Sequence, residues 1–175
     1  MTTWDTTFAS LFHRCSALHR SGNTNPERWF VAPDTTFLSS IGCSTQEFFD
    51  FVDDHVRYGN DGPSMETALL VAAVRRDYLN VVQKGKTSLH RVSPADLPAK
   101  SAEVQGIRWL PRLIMKARAK LRGEMDPDTM YGCGGDRAFF AEHQIHPADL
   151  LRAVWAAGAD DQRIVDFVKS GGQFS

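Results

Sequence analysis

The 175-residue chain carries 20 Lys and Arg against 21 Asp and Glu, a formal net charge of −1, with 42% hydrophobic residues. This length admits one good core or two small fused ones, and the near-neutral balance argues against a general nucleic-acid or membrane-surface binder. The charge is unevenly spread: acids exceed bases by about four up to Val82, and bases exceed acids by about three from Gln83 onwards.

Cys15, Cys43 and Cys133 are odd in number and far apart, which argues against a disulfide framework and for a reducing cytoplasm. The opening MTTWDTTFASLF has neither a basic start nor a continuous apolar run. No segment approaches the ~18 apolar residues of a membrane span, so a cytosolic protein without a membrane segment is expected.

In chain order, Trp4, Phe8, Leu11, Phe12, Cys15 and Leu18 follow helical spacing, and Gly22 closes the run. A turn-rich connector from Asn23 to Pro33 leads to Asp34, read as the cap of a short segment ending at Gly42. Ser44-Thr45-Gln46-Glu47 has the type and spacing of a capping box and opens a helix through Val56. Ser64 caps the next helix, which begins at Met65 and runs towards Val82. Residues 83–105 are polar, hold Pro94 and Pro98, show no sustained period and read as a linker. Four helices are expected after it, and no stretch reads as a strand.

The first of these four helices has the sharpest pattern. Trp109, Leu113, Ala117 and Leu121 fall near one line, while Arg108, Arg112, Lys116 and Lys120 recur every four residues beside it. A solvated basic face is the plainest reading; the functional one is that Arg112 or Lys116 turns into a pocket and holds an anion. Pro111 suits a first turn and Gly123 a C-terminal cap. The following loop, Gly132-Cys133-Gly134-Gly135-Asp136, could bring backbone N–H groups to an anion, with Gly134 and Gly135 as the cradle. It lacks the Gly-Lys-Ser/Thr ending of a phosphate loop, and Asp136 is placed to cap the next helix instead.

Leu110-Pro111-Arg112, Lys116-Ala117-Arg118-Ala119, Gly123, Cys133, Asp136 and Phe139 together resemble a bacterial family, domain of unknown function 5069. The resemblance is clear over residues 107–170, with a degenerate second copy over 8–82. That family has no assigned activity, so the resemblance implies a small helical domain and supplies no chemistry.

The two halves can be laid over each other. Leu11 falls on Leu113, Gly22 on Gly123, Pro26 on Pro127, Phe30 on Tyr131, Asp34 on Asp136, Phe37 on Phe139, Phe48 on Leu150 and Val52 on Val154. The expected fold is all-α: two pseudo-repeated four-helix units, 1–82 and 106–175, packed into one compact helical domain. The richer loop makes the second unit the expected owner of any site.

Two functions from different classes follow. One is a binding module for a partner protein or a small anionic ligand, using Arg112, Lys116, Gly134, Gly135 and Asp136. The other is a small-molecule enzyme with a pocket between the repeats, using Cys133 and Arg112 with Asp136 and His143 around it. Cys133 at a Gly-rich helix start could expose a nucleophile, and His143 is the nearest candidate base. His143 also falls among Phe139 and Phe140 as a core-lining residue would, and His146 reads as a cap before Pro147. A helix boundary between these histidines argues against a metal pair. No cofactor is expected, a homo-oligomer is left open, and a nucleic-acid reader ranks last because the basic stripe is short.

Overall fold

The computed structural model describes residues 3–173, so the first two and last two residues of the expected units lie outside it. Eight α-helices form the body: α1 (Trp4–Arg20), α2 (Ala32–Ser40), α3 (Thr45–Tyr58), α4 (Met65–Val81), α5 (Leu110–Arg122), α6 (Gly134–His143), α7 (Pro147–Ala157) and α8 (Asp161–Lys169). Their starts follow local chemistry. Ser44, Ser64 and Asp160 each accept backbone N–H groups one turn on, and His146 accepts the Ala148 N–H through Nδ1. Gly123, in the left-handed region at φ 70°, ends α5.

The helices share one core. Phe8 and Phe12 of α1 meet Phe48 of α3, and the same apolar cluster continues through Val71 and Val74 of α4 to Leu113, Ala117, Leu150 and Val154 of α5 and α7. In the first half α1 packs on α3, and in the second α5 packs on α7; α4 lies against both α5 and α7 and joins the halves. Two ion pairs have similar surroundings. Arg14 of α1 pairs with Asp34, whose carboxylate also accepts the Val31 N–H, and Lys116 of α5 pairs with Asp136, whose carboxylate also accepts the Gly132 N–H. The first pair is partly exposed and the second is buried.

Three expectations change. Asp34 and Asp136 are not N-caps: Val31 and Cys133 hold those positions, and each Asp sits in the first turn with its carboxylate turned back to the loop. The basic face of α5 is not a solvated stripe either, since Lys116 and Lys120 are each only 2% exposed. Each finds a carboxylate from another element, Asp136 and Glu47 respectively, which offsets the desolvation that would otherwise drive an ammonium to the surface. Finally, a short antiparallel hairpin precedes α5, pairing β1 (Glu103–Val104) with β2 (Ile107–Arg108). Gln105 and Gly106 turn it with φ of 51° and 79°, the left-handed pair a two-residue hairpin requires.

The segment before that hairpin is tied down. Val92 and Leu97 are buried against Ala119, the Val92 N–H donates to Glu124 O at 2.9 Å, and Arg112 Nη1 donates to Pro98 O at 2.8 Å.

Candidate functional site

The junction of α5 and α6 organises the candidate site. The hairpin delivers the chain to Trp109, the residue before α5, with φ 71°. A Trp in the left-handed region is strained, and bonds at both ends hold it: its N–H donates to Ala102 O at 2.9 Å and its indole Nε1 donates to Asp136 Oδ1 at 2.8 Å. Asp136 therefore gathers donors from three directions. Its second oxygen accepts the Gly132 N–H at 2.9 Å and the Lys116 ammonium, all within a fully buried setting. Lys116 Nζ also donates to Cys133 Sγ at 3.3 Å.

Gly135 has a steric reason to be glycine. A Cβ there would stand 2.4 Å from the Trp109 ring, so the indole lies directly on the first turn of α6. Gly134 has no such neighbour within ordinary contact distance other than Arg137 at 3.8 Å.

Two hollows flank this buried junction. The first lies beneath the hairpin, about 480 Å³ in volume, with Lys100 and Arg108 at its rim and Trp109, Gly135, Phe139 and His143 along its wall. The His143 ring lies tilted by 43° against Phe139, with ring centroids 4.3 Å apart. Among the described residues neither the Lys100 ammonium nor the Arg108 guanidinium has a hydrogen bond or ion pair, and Glu142 is the one acid in the lining. Glu103 stands opposite Arg108 in the hairpin register but is not part of that lining. No side chain caps the first N–H groups of α6.

The second hollow, about 470 Å³, lies between α3 and the loop before α6, and Cys133, Gly134, Met130 and Arg137 line it together with Asp50, Asp53 and Asp54. Arg137 pairs with Asp54, and Gln46 Nε2 donates to Asp50 Oδ1 at 2.8 Å. Burial raises the Asp50 carboxyl from 3.8 to about 6, against the lowering effect of Gln46. A smaller space next to it, reaching Gly42 and Gly123, holds the Lys120–Glu47 pair. There burial lowers Lys120 to about 8, against the raising influence of Cys43.

Of the residues singled out from sequence, Lys116, Asp136 and Cys133 come together. Gly135 and His143 line the hollow under the hairpin, Gly134 lines the acidic one, and Arg112 spends its Nη1 on Pro98 O. Lys100, Asp50 and the Lys120–Glu47 pair were not singled out as site residues, and Arg108 was read only as the first member of the basic stripe on α5. Lys100 lies in a segment without periodicity, and Arg108 belongs to the hairpin, outside the helix whose pattern included it.

No group of three or more His, Cys, Asp or Glu side chains suited to a metal ion occurs among the described residues, and none of their helices is long and apolar enough to cross a membrane. No curated protein and no solved structure matches the chain. A family model does: residues 96–174, from the segment before the hairpin through α8, match the family described as Domain of unknown function (DUF5069), and with it the resemblance read in Leu110-Pro111-Arg112, Lys116, Gly123, Cys133 and Asp136 is established for the second half of the chain.

Proposed function

We propose that the chain is a binding module for a small anion with an aromatic or apolar body, and that the hollow beneath the hairpin is its site. The pair of unengaged cations at that rim, Lys100 and Arg108, carries the reading. Arg108 offers a planar fork suited to a carboxylate or phosphate, and Lys100 adds a mobile second charge. Phe139, Trp109 and His143 supply the surface against which an apolar body would lie.

The other residues support this arrangement from behind. Lys116 neutralises Asp136, so that carboxylate does not repel an anion at the start of α6. Arg112 ties Pro98 to α5 and thereby positions Lys100 two residues further on. Gly135 brings the indole and the uncapped turn to the same wall. A small ligand is favoured over a partner protein because the surface is concave and its volume, about 480 Å³, is that of a small-molecule pocket. The enzyme reading with Cys133 and Arg112 has less support, because Arg112 is bonded to Pro98 O while Cys133 opens to the acidic hollow.

The matching Arg14–Asp34 and Lys116–Asp136 pairs support reading the halves as diverged copies, of which the second carries the site. A reducing cytoplasm, where Cys15, Cys43 and Cys133 stay free, is the setting this reading assumes.

Phenyl phosphate, followed by two-dimensional NMR, tests the proposal. The Trp109 indole and the Arg108 and His143 signals are expected to shift in a saturable way. Shifts confined to the Asp50 and Arg137 region, or none at all, would place binding elsewhere and defeat the reading.

A further inference from the structure

We propose that Lys116 and Cys133 form a peroxide-sensitive modification site, in which oxidation of the thiol is followed by a covalent Nζ–Sγ bond. The geometry is that of a reacting pair. Nζ stands 3.3 Å from Sγ, within the range of near-attack contacts, and the lysine is held there at 2% exposure by its ion pair with Asp136. The sulfur is reachable, because half-buried Cys133 lines the hollow of about 470 Å³. Lysine and carboxylate supply what the condensation needs: a fixed amine, and a base touching it that takes its proton.

The chemistry balances with hydrogen peroxide as the oxidant. Sulfur attacks one peroxide oxygen, the O–O bond breaks, and the departing hydroxide leaves as water with the thiol proton; sulfur loses an electron pair and peroxide gains it, giving a sulfenic acid. Lys116 then passes a proton to Asp136, and the neutral amine attacks the sulfenic sulfur. The S–O bond breaks, hydroxide takes a proton from nitrogen and leaves as water, and the N–S bond forms. The same condensation with a backbone nitrogen is a known fate of sulfenic acids. A dithiol reverses the link, returning thiol and amine while it becomes a disulfide.

The other two cysteines lack these conditions. Cys15 and Cys43 are buried, and burial pushes both thiols up to about 11; Lys120 is near enough to Cys43 to act against that rise, but the Cys43 thiol donates to Ser44 O at 3.5 Å and is hydrogen-bonded to no amine. They serve as internal controls.

The test treats the full chain with hydrogen peroxide, blocks remaining thiols, and maps proteolytic peptides by mass spectrometry. The expected product joins the Lys116 peptide to the Cys133 peptide with the loss of one pair of hydrogens, blocks tryptic cleavage at Lys116, and disappears on treatment with dithiothreitol. Lys116→Arg, which keeps a cation against Asp136, is expected to lose the link and to let Cys133 advance to sulfinic acid. The map of the unmutated chain decides the matter even if that variant folds poorly. Cys133 carried to sulfinic acid or into a disulfide, with Lys116 unmodified, would overturn the proposal, and a cross-link retaining a peroxide oxygen would overturn the condensation step.

Discussion

The Trp109 indole donates to Asp136 Oδ1 at 2.8 Å and so fastens the residue that opens α5 to the first turn of α6. One carboxylate thereby sets three things: the strained backbone at Trp109, the placement of the Lys116 ammonium, and the wall of the hollow beneath the hairpin.

Gly135→Ala is expected to destabilise the fold by about 1–3 kcal/mol, because the new methyl meets the Trp109 ring at 2.4 Å and the indole is not free to retreat from Asp136. Gly134→Ala meets nothing closer than Arg137 at 3.8 Å and is expected to leave stability nearly unchanged. Chemical denaturation of the two variants side by side checks the contrast; equal losses would mean that glycine is needed there for another reason.

Removing one partner of the buried Lys116–Asp136 pair strands the other charge. Asp136→Leu is expected to cost about 3–5 kcal/mol, whereas Lys116→Met combined with Asp136→Leu recovers much of that loss. A double-mutant cycle in urea measures the coupling. Additive losses would show that the pair matters less than the Trp109 and Gly132 bonds to the same carboxylate.

Asp50 makes a signed prediction about pH. Its folded value, about 6, lies above the ordinary 3.8, so between these values the folded chain holds a proton that the unfolded chain has released. Raising pH through that window therefore costs stability from this group, and the full cost is present above about pH 6. Asp50→Asn is expected to stabilise the protein near neutral pH by roughly 1 kcal/mol, allowing for the solvent that reaches the carboxylate, and to have little effect near pH 4. Unfolding midpoints at the two pH values read this directly; a variant less stable at both would mean that ionised Asp50 is needed where it stands.

Arg75 fills the space between Gly42 and Gly123. From α4 it donates to Leu121 O at 2.9 Å and to Gln83 Oε1 at 2.7 Å, and a Cβ on Gly123 would stand 2.5 Å from its Nη2. Gly123 also has φ +70°. Gly123→Ala is thus expected to destabilise by about 1–3 kcal/mol through strain and crowding together. Gly22→Ala, at a helix end with open space around it, isolates the backbone part of that cost; thermal melts that rank the two equally would remove the role given to Arg75.

The helices were legible wherever a local rule governs them. Ser44, Ser64 and His146 each cap as their side chains dictate, and the apolar lines of α1 and α5 became their core faces. What escaped was set by partners distant in sequence. Nothing local announces that Lys120 meets Glu47, so the basic residues of α5 read as a solvated stripe, and nothing local pairs Arg137 of α6 with Asp54. The hairpin escaped because each strand has only two residues and Gln105-Gly106 lacks the Asn-Gly or Asp-Gly signal. Lys116 with Asp136 belonged to the anion-binding reading and Cys133 to the enzyme one; the fold brings the three side chains together because loop and helix adjoin, whereas Lys100 and Arg108 became neighbours of His143 only through the hairpin.

Calorimetric titration of phenyl phosphate into the unmutated chain and into the combined Lys100→Ala and Arg108→Ala variant tests the binding account most directly. The account predicts saturable binding to the unmutated chain, weakened at least ~10-fold, or about 1.4 kcal/mol, in the variant, with phenyl phosphate binding more tightly than inorganic phosphate because of the aromatic wall. Equal affinity in the two proteins, or no preference for the aromatic ligand, would contradict it.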